Sequence, residues 1–198
     1  VIYLIPPIIG LAYLLGAVPF GLIVVRGFKG IDLRLTGSGN IGATNAGRAG
    51  GWFLGILTLL FDVSKGALPV FLAAAIQPPY REMAMSLTAV AALLGHLFPV
   101  YLRFKTGGKG VATAAGSFLV LSPAALLPVF IMFAVTVALT RRVSAGSLTG
   151  AALLPFIVLF FERSLFPAGA ALIVALLIVA RHKDNISRLR KGNEPRIR

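Results

Sequence analysis

No cysteine occurs in the 198 residues, so disulfides, thiolate zinc sites and an acyl-cysteine intermediate are excluded by inventory. Acidic residues are scarce as well. Asp32, Asp62, Glu82, Glu162, Asp184 and Glu194 stand singly along the chain, whereas divalent-metal sites for phosphoryl chemistry usually need two or more converging carboxylates. A metal-dependent reaction is disfavoured on that ground, and no metal site is expected. Long polar stretches are also lacking: with 58% hydrophobic and 13% charged residues the composition lies outside that of soluble domains. The solvent that suits such a chain is a bilayer. A formal charge of +13 points to nucleic acid in a soluble protein, but here the basic residues lie in short loops between apolar runs, so no nucleic-acid partner is expected.

Apolar runs place helices near residues 2–25, 52–76, 83–102, 111–139, 147–161 and 167–180. The chain has room for roughly five to seven crossings of about 20 residues each, which predicts a single integral-membrane domain over residues 1–198. The run from Val1 to Val25 is too long for the apolar part of a secretion signal and ends in Arg26, so it reads as a retained span. The run from Val111 to Leu139 has the wrong length. As one helix it would measure about 43 Å against a hydrocarbon core of about 30 Å. Ser122-Pro123 interrupts it, and proline removes a helix donor, so two short helices with a turn between them are expected. The fold class is therefore an all-α polytopic membrane protein, a seven-helix transmembrane bundle with short helices. Its amino terminus lies outside and its carboxyl terminus in the cytoplasm. That arrangement gathers every Lys and Arg on the inner face except Arg81, Arg163 and the intramembrane Lys65, as the positive-inside tendency requires. Five full spans, with the 111–139 region not crossing completely, would keep the same sidedness.

Three inner segments carry the chemistry. The first, Thr36 to Arg48, contains Gly37, Gly39 and Gly42 in a literal G-x-G-x-x-G, but it follows a membrane span and not the strand of a dinucleotide fold. What remains is local physics. Glycines let consecutive N–H groups turn toward an anion, Ser38, Asn40, Thr44 and Asn45 add neutral hydrogen-bonding groups, and Arg48 can grip phosphate bidentately. The same stretch also reads as a flexible polar turn. The second segment, Arg103 to Gly110, brings Lys105, Gly107, Gly108, Lys109 and Gly110 to the start of a helix at Val111, where unpaired N–H donors and the positive dipole end favour an anion. Ordinary interfacial lysines around a glycine hinge are the competing reading. The third is the tail from Arg181 to Glu194. If the last span continues as a helix, His182 and Asn185 share a face; histidine can take a hydroxyl proton near neutral pH, and asparagine can orient a substrate. A basic tail lying on anionic headgroups would look similar.

Asp62 and Lys65 stand about 16 Å along their span from Trp52. Intramembrane charges are costly and usually pair or line a polar cavity; three residues apart, these two read as a structural pair. His96, beside Gly95, reads as a packing or helix-end residue.

In order along the chain, GSGNIGATNAGR (37–48), GGKGVAT (107–113) and RHKDNISRLRKGNE (181–194) resemble the motifs of the bacterial acyl-phosphate:glycerol-3-phosphate acyltransferases, the PlsY-type integral-membrane family that starts phospholipid synthesis. The likeness covers nearly the whole chain. It implies essential roles for Ser38 and Arg48, glycerol 3-phosphate binding by Gly107, Gly108, Lys109 and Gly110, importance of His182 and Asn185, and a structural role for Glu194. The stretch Thr140 to Ser147 also resembles a family segment, which makes Ser147 a phosphate ligand. Two departures stand out: Thr106 separates Lys105 from the glycines, and Arg142 replaces a usual aromatic residue.

The implied reaction is attack of the glycerol 3-phosphate sn-1 hydroxyl on the carbonyl of an acyl phosphate, giving lysophosphatidic acid and inorganic phosphate. Acyl phosphate is a co-substrate, and no cofactor is expected. Lys109, Arg48 and the loop N–H groups would stabilise developing negative charge, the acyl tail would lie in a groove between helices, and either His182 or a substrate phosphate oxygen would take the proton. Ser38 is cast as a ligand and not a nucleophile, since no His-Asp relay stands beside it. The expected setting is the bacterial inner membrane, multi-pass, with membrane lipid as neighbour and the active site facing the cytoplasm. A transporter of a phosphorylated small solute is the alternative; it predicts midplane contacts and usually an internal repeat, and no repeat is visible. An alcohol phosphotransferase would need clustered aspartates, which the chain lacks.

Overall fold

The computed structural model describes residues 2–197. Among them every regular element is helical, and the chain divides into two compact units, Val1–Leu121 and Ser122–Arg198. The first unit holds α1 (Ile5–Ala17), α2 (Phe20–Lys29), α3 (Ala43–Gly50), α4 (Trp52–Ala73), α5 (Arg81–Leu97) and α6 (Val111–Leu121). The second holds α7 (Pro123–Thr140), α8 (Val143–Glu162), α9 (Leu165–Arg181) and α10 (Lys183–Arg190). Among the described residues five stretches are long and apolar enough to cross a membrane, and a sixth results if the bent pair α9–α10 is one span. α6 is shorter, at 11 residues.

Several boundaries differ from the sequence expectation for identifiable reasons. The first apolar run is broken at Val18-Pro19, because proline lacks an N–H and pushes its predecessor into extended geometry; Val18 has ψ 118°. The 26–51 loop is not wholly irregular, since α3 occupies its second half. The interruption expected at Ser122-Pro123 is present, with Pro123 opening α7, where a missing N–H costs nothing. The last span does not continue straight into the tail: α9 and α10 meet at a 62° bend centred on His182, which ends one helix and begins the next.

The packing is that of a protein without water to drive it. Large apolar side chains such as Phe71, Phe156, Phe160 and Leu172 point outward, while the buried set is rich in alanine, including Ala12, Ala17, Ala84, Ala89 and Ala92. Lipid is as apolar as leucine, so helices associate where small residues let their backbones touch. In the first unit, α1 meets α5 at Gly16 and Gly95, and α4 meets α6 at Gly66 and Gly116. A methyl group on Gly66 would collide with the Thr113 carbonyl, and one on Gly116 with the Val63 carbonyl. The Ser117 hydroxyl also donates to the Gly66 carbonyl at 3.2 Å across this seam.

Gly66→Ala and Gly116→Ala are therefore expected to force α4 and α6 apart, at about 1–3 kcal/mol each. Gly169→Ala, on a face with open space, is the control. Thermal unfolding of the purified protein in detergent checks this: the first two should lower the midpoint, and Gly169→Ala should leave it unchanged or raise it.

Candidate active site

The polar residues of the first unit form two clusters. The Thr36–Arg48 segment is folded around one side chain. Asn45 is buried, and its Nδ2 lies within donor range of the carbonyls of Leu33 (3.2 Å), Thr36 (2.9 Å) and Asn40 (2.8 Å), while its Oδ1 accepts the Ser38 N–H at 3.1 Å. The turn closes on this amide because Gly37, at φ +60°, leaves space against Oδ1 that no side chain could share. Asn40 folds locally too, its Oδ1 accepting the Gly42 N–H at 2.8 Å in an Asx turn. Asn40 and Asn45, which the sequence offers as substrate ligands, also hold the loop together. Ser38, Thr44 and Arg48 are exposed. Thr44 and Arg48 are four apart on α3 and share one face.

The nearest acid, Asp32, does not leave an open negative charge beside this loop. Arg34 donates to it from its backbone N–H (3.0 Å) and from Nε (2.9 Å). These hydrogen bonds hold the Asp32 carboxyl down to about 2.

The glycine loop lies against the carboxyl end of α5. The Gly108 N–H donates to the His96 carbonyl at 3.2 Å, and methyl groups on Gly107, Gly108 and Gly110 would collide with the Leu97 carbonyl, the His96 ring and the Leu93 side chain. Gly110 also has φ +82°, a backbone region that favours glycine. The glycines are thus required by packing as well as by any ligand. Thr106, the inserted residue, is accommodated in left-handed conformation at φ +53°, as are Arg103 and Phe104. Lys105 is exposed and Lys109 half-buried.

Below the loop, Asp62, Lys65 and His96 are all buried. Lys65 Nζ stands 2.8 Å from Asp62 Oδ1 and donates at 2.9 Å to the Val18 carbonyl, which also accepts the Phe20 N–H at 3.0 Å. The Lys65 ammonium also lies 5.7 Å from the centre of the Phe20 ring. The pairing of Asp62 with Lys65 was visible in their spacing; the participation of His96, whose Nδ1 is 3.8 Å from Asp62 Oδ1, was not.

In the second unit Glu194, on the tail, ties α8 and α10 together. It accepts from Ser144 Oγ at 2.7 Å, Asn185 Nδ2 at 2.6 Å and Arg188 Nε at 2.7 Å. Asn185 is therefore committed at least in part to holding the tail. Ser144 and Arg188 escaped sequence reasoning, because nothing in their spacing points to an acid further along the chain. Ser147, one turn beyond Ser144, is buried and donates to the Val143 carbonyl at 3.0 Å. His182 is buried, with Nδ1 2.8 Å from the Ile178 carbonyl. A carbonyl can only accept, so in the neutral ring this contact places the proton on Nδ1 and leaves Nε2 as the acceptor nitrogen. Burial pushes the Glu194 carboxyl up, but the hydrogen bonds from Ser144, Asn185 and Arg188 and the arginine charge outweigh it, so the group sits below the ordinary carboxylate range.

Three comparisons bear on these clusters. A model of the glycerol-3-phosphate acyltransferase family matches residues 7–192. Glycerol-3-phosphate acyltransferases of Syntrophotalea carbinolica and Geotalea daltonii are 46% and 47% identical, the alignments covering 94% and 92% of both chains respectively. The crystal structure of PlsY, an integral membrane glycerol 3-phosphate acyltransferase, in its glycerol 3-phosphate form, is 35% identical with a TM-score of 0.92, over 98% of this chain and 96% of that one. The lysophosphatidic acid form gives 34% and 0.89, over 98% and 95%.

A carboxyl held below its unfolded value contributes stability above the unfolded pKa and loses it as pH falls through the folded one. The unfolding midpoint of the wild type should therefore drop on acidification through and below the carboxylate range. Glu194→Gln should start lower at neutral pH and lose less on acidification; parallel curves would remove Glu194 from this role.

Proposed function

We infer what this chain does from the fact that it belongs to the glycerol-3-phosphate acyltransferase family. It is a multi-pass membrane enzyme that transfers an acyl group to glycerol 3-phosphate and yields lysophosphatidic acid. We propose that the donor is an acyl phosphate and that no cofactor takes part, the acyl carbon being already activated by its phosphate leaving group. The sn-1 hydroxyl oxygen forms the new bond to the acyl carbon, the bond from that carbon to the phosphate oxygen breaks, and inorganic phosphate leaves with the electron pair.

The phosphate-binding assignment is carried by the position of Lys109. It stands half-buried at the amino end of α6, on a loop pressed against α5 that contains no acidic residue between Arg103 and Thr113. The cation and the helix end favour an anion together. Arg48, Thr44 and Ser38 are proposed as further ligands on the support of their exposure and of the Arg48–Thr44 shared face; Lys105 is a peripheral cation. In the second unit, the tautomer set by Ile178 supports His182 as the base, its Nε2 receiving the hydroxyl proton. Ser147 is proposed as a phosphate ligand, and Asn185 as a residue that orients substrate while anchored by Glu194.

Seven crossings with the amino terminus outside are proposed on the Ser122 break and the distribution of Lys and Arg. The same distribution supports a cytoplasmic active site in a bacterial inner membrane. One functional domain over residues 1–198 is proposed on the family match, which spans both units.

Purified protein given palmitoyl phosphate, glycerol 3-phosphate and a chelator should release inorganic phosphate only when both substrates are present. Lys109→Ala should lower turnover by roughly a hundredfold at unchanged thermal stability. Phosphate release independent of glycerol 3-phosphate would overturn the reaction, and normal turnover by Lys109→Ala would remove that residue from the site.

A further inference from the structure

The glycine loop rests on a buried polar chain to which neither the reaction nor the motifs assign a part. It begins at the Val18 carbonyl, passes through Lys65 Nζ at 2.9 Å and Asp62 Oδ1 at a further 2.8 Å, and reaches His96 Nδ1 3.8 Å from the same oxygen. The other side of the His96 ring faces Gly108 so closely that a methyl group there would collide with Nε2. Gly108 is held twice by one residue, by the ring and by the His96 carbonyl that accepts its N–H at 3.2 Å. The next residue is Lys109.

Lys65 is already occupied by Asp62, the Val18 carbonyl and the Phe20 ring, so the member of the chain that touches the loop is the imidazole. A hydrocarbon side chain could fill the same volume. It could not present a polar edge to a carboxylate buried to within 3% of full enclosure, where an electrostatic contact is strong and an unmatched one costly.

We propose that His96 is a positioning residue for the anion-binding loop: Asp62, fixed by Lys65, orients the His96 ring, and the ring sets where Gly108 and Lys109 stand. The inference rests on the phosphate-binding reading of the loop. His96 acts through the loop and not on the reacting atoms, so its loss falls on the affinity for glycerol 3-phosphate and not on the chemical step.

The test is steady-state kinetics of the purified full chain with palmitoyl phosphate and varied glycerol 3-phosphate, with thermal unfolding to confirm that each variant is folded. His96→Phe keeps the bulk and removes both nitrogens; it should raise KM for glycerol 3-phosphate by about tenfold or more with kcat changed less than about threefold. His96→Asn, which returns a polar nitrogen near the Nδ1 position, should recover most of that loss. Asp62→Asn, with His96 intact, should raise KM in the same direction, and it serves as the deciding variant if the His96 substitutions do not fold. A purely structural role would leave the KM of folded variants unchanged, and that result would overturn the proposal. So would a fall in kcat at constant KM, which would place His96 on the reacting atoms, or an Asn variant no better than Phe. Wild-type protein that does not turn over glycerol 3-phosphate would refute the phosphate-binding reading itself, whereas a working wild type with indifferent His96 and Asp62 variants refutes only this inference.

Discussion

An aspartate and a lysine can stand in hydrocarbon only if each finds its partners within the protein, and much of the first unit is arranged so that Asp62 and Lys65 do. Their spacing on α4 brings them to 2.8 Å. The ammonium has further donors to satisfy, and the break at Val18-Pro19 offers an acceptor: the Val18 carbonyl, which also takes the Phe20 N–H at 3.0 Å, accepts from Lys65 at 2.9 Å. The ion pair also places a fixed carboxylate beside His96, at the floor of the glycine loop.

The second unit contains an analogous device at a polar end. Glu194 collects a hydroxyl from the first turn of α8, an amide and a guanidinium from α10, and thereby docks a chain segment that has no regular structure of its own. Each acceptor oxygen is matched by a donor, which is the condition under which a buried carboxylate stabilises a fold instead of burdening it. The 62° bend at His182 is what turns α10 so that Asn185 and Arg188 reach this acid. A straight continuation of α9 would carry them elsewhere.

Glycine serves two purposes along this chain, and only contacts separate them. At Gly66 and Gly116 it lets two helices meet backbone to backbone in a solvent that offers no hydrophobic drive. At Gly37 and Gly110 it supplies a positive φ as well as room. At Gly108 it leaves space for a histidine ring. A glycine-rich string in the sequence looks the same in each case.

Hydropathy, the scarcity of acids and the placement of Lys and Arg were enough to establish an all-helical membrane chain, its principal apolar runs and the break at Ser122-Pro123, because these properties depend on composition and on contacts between near neighbours. The Asp62–Lys65 pair was legible for the same reason, three residues being less than one helical turn. Tertiary structure alone decided that Asn45 organises its loop, that Asn185 and Ser144 both donate to Glu194, that the last span bends at His182, and that the His96 ring lies between Asp62 and Gly108. Each depends on which residue distant in sequence, or which bend of the backbone, brings a partner within hydrogen-bonding or van der Waals range, and neither periodicity nor local propensity encodes that distance.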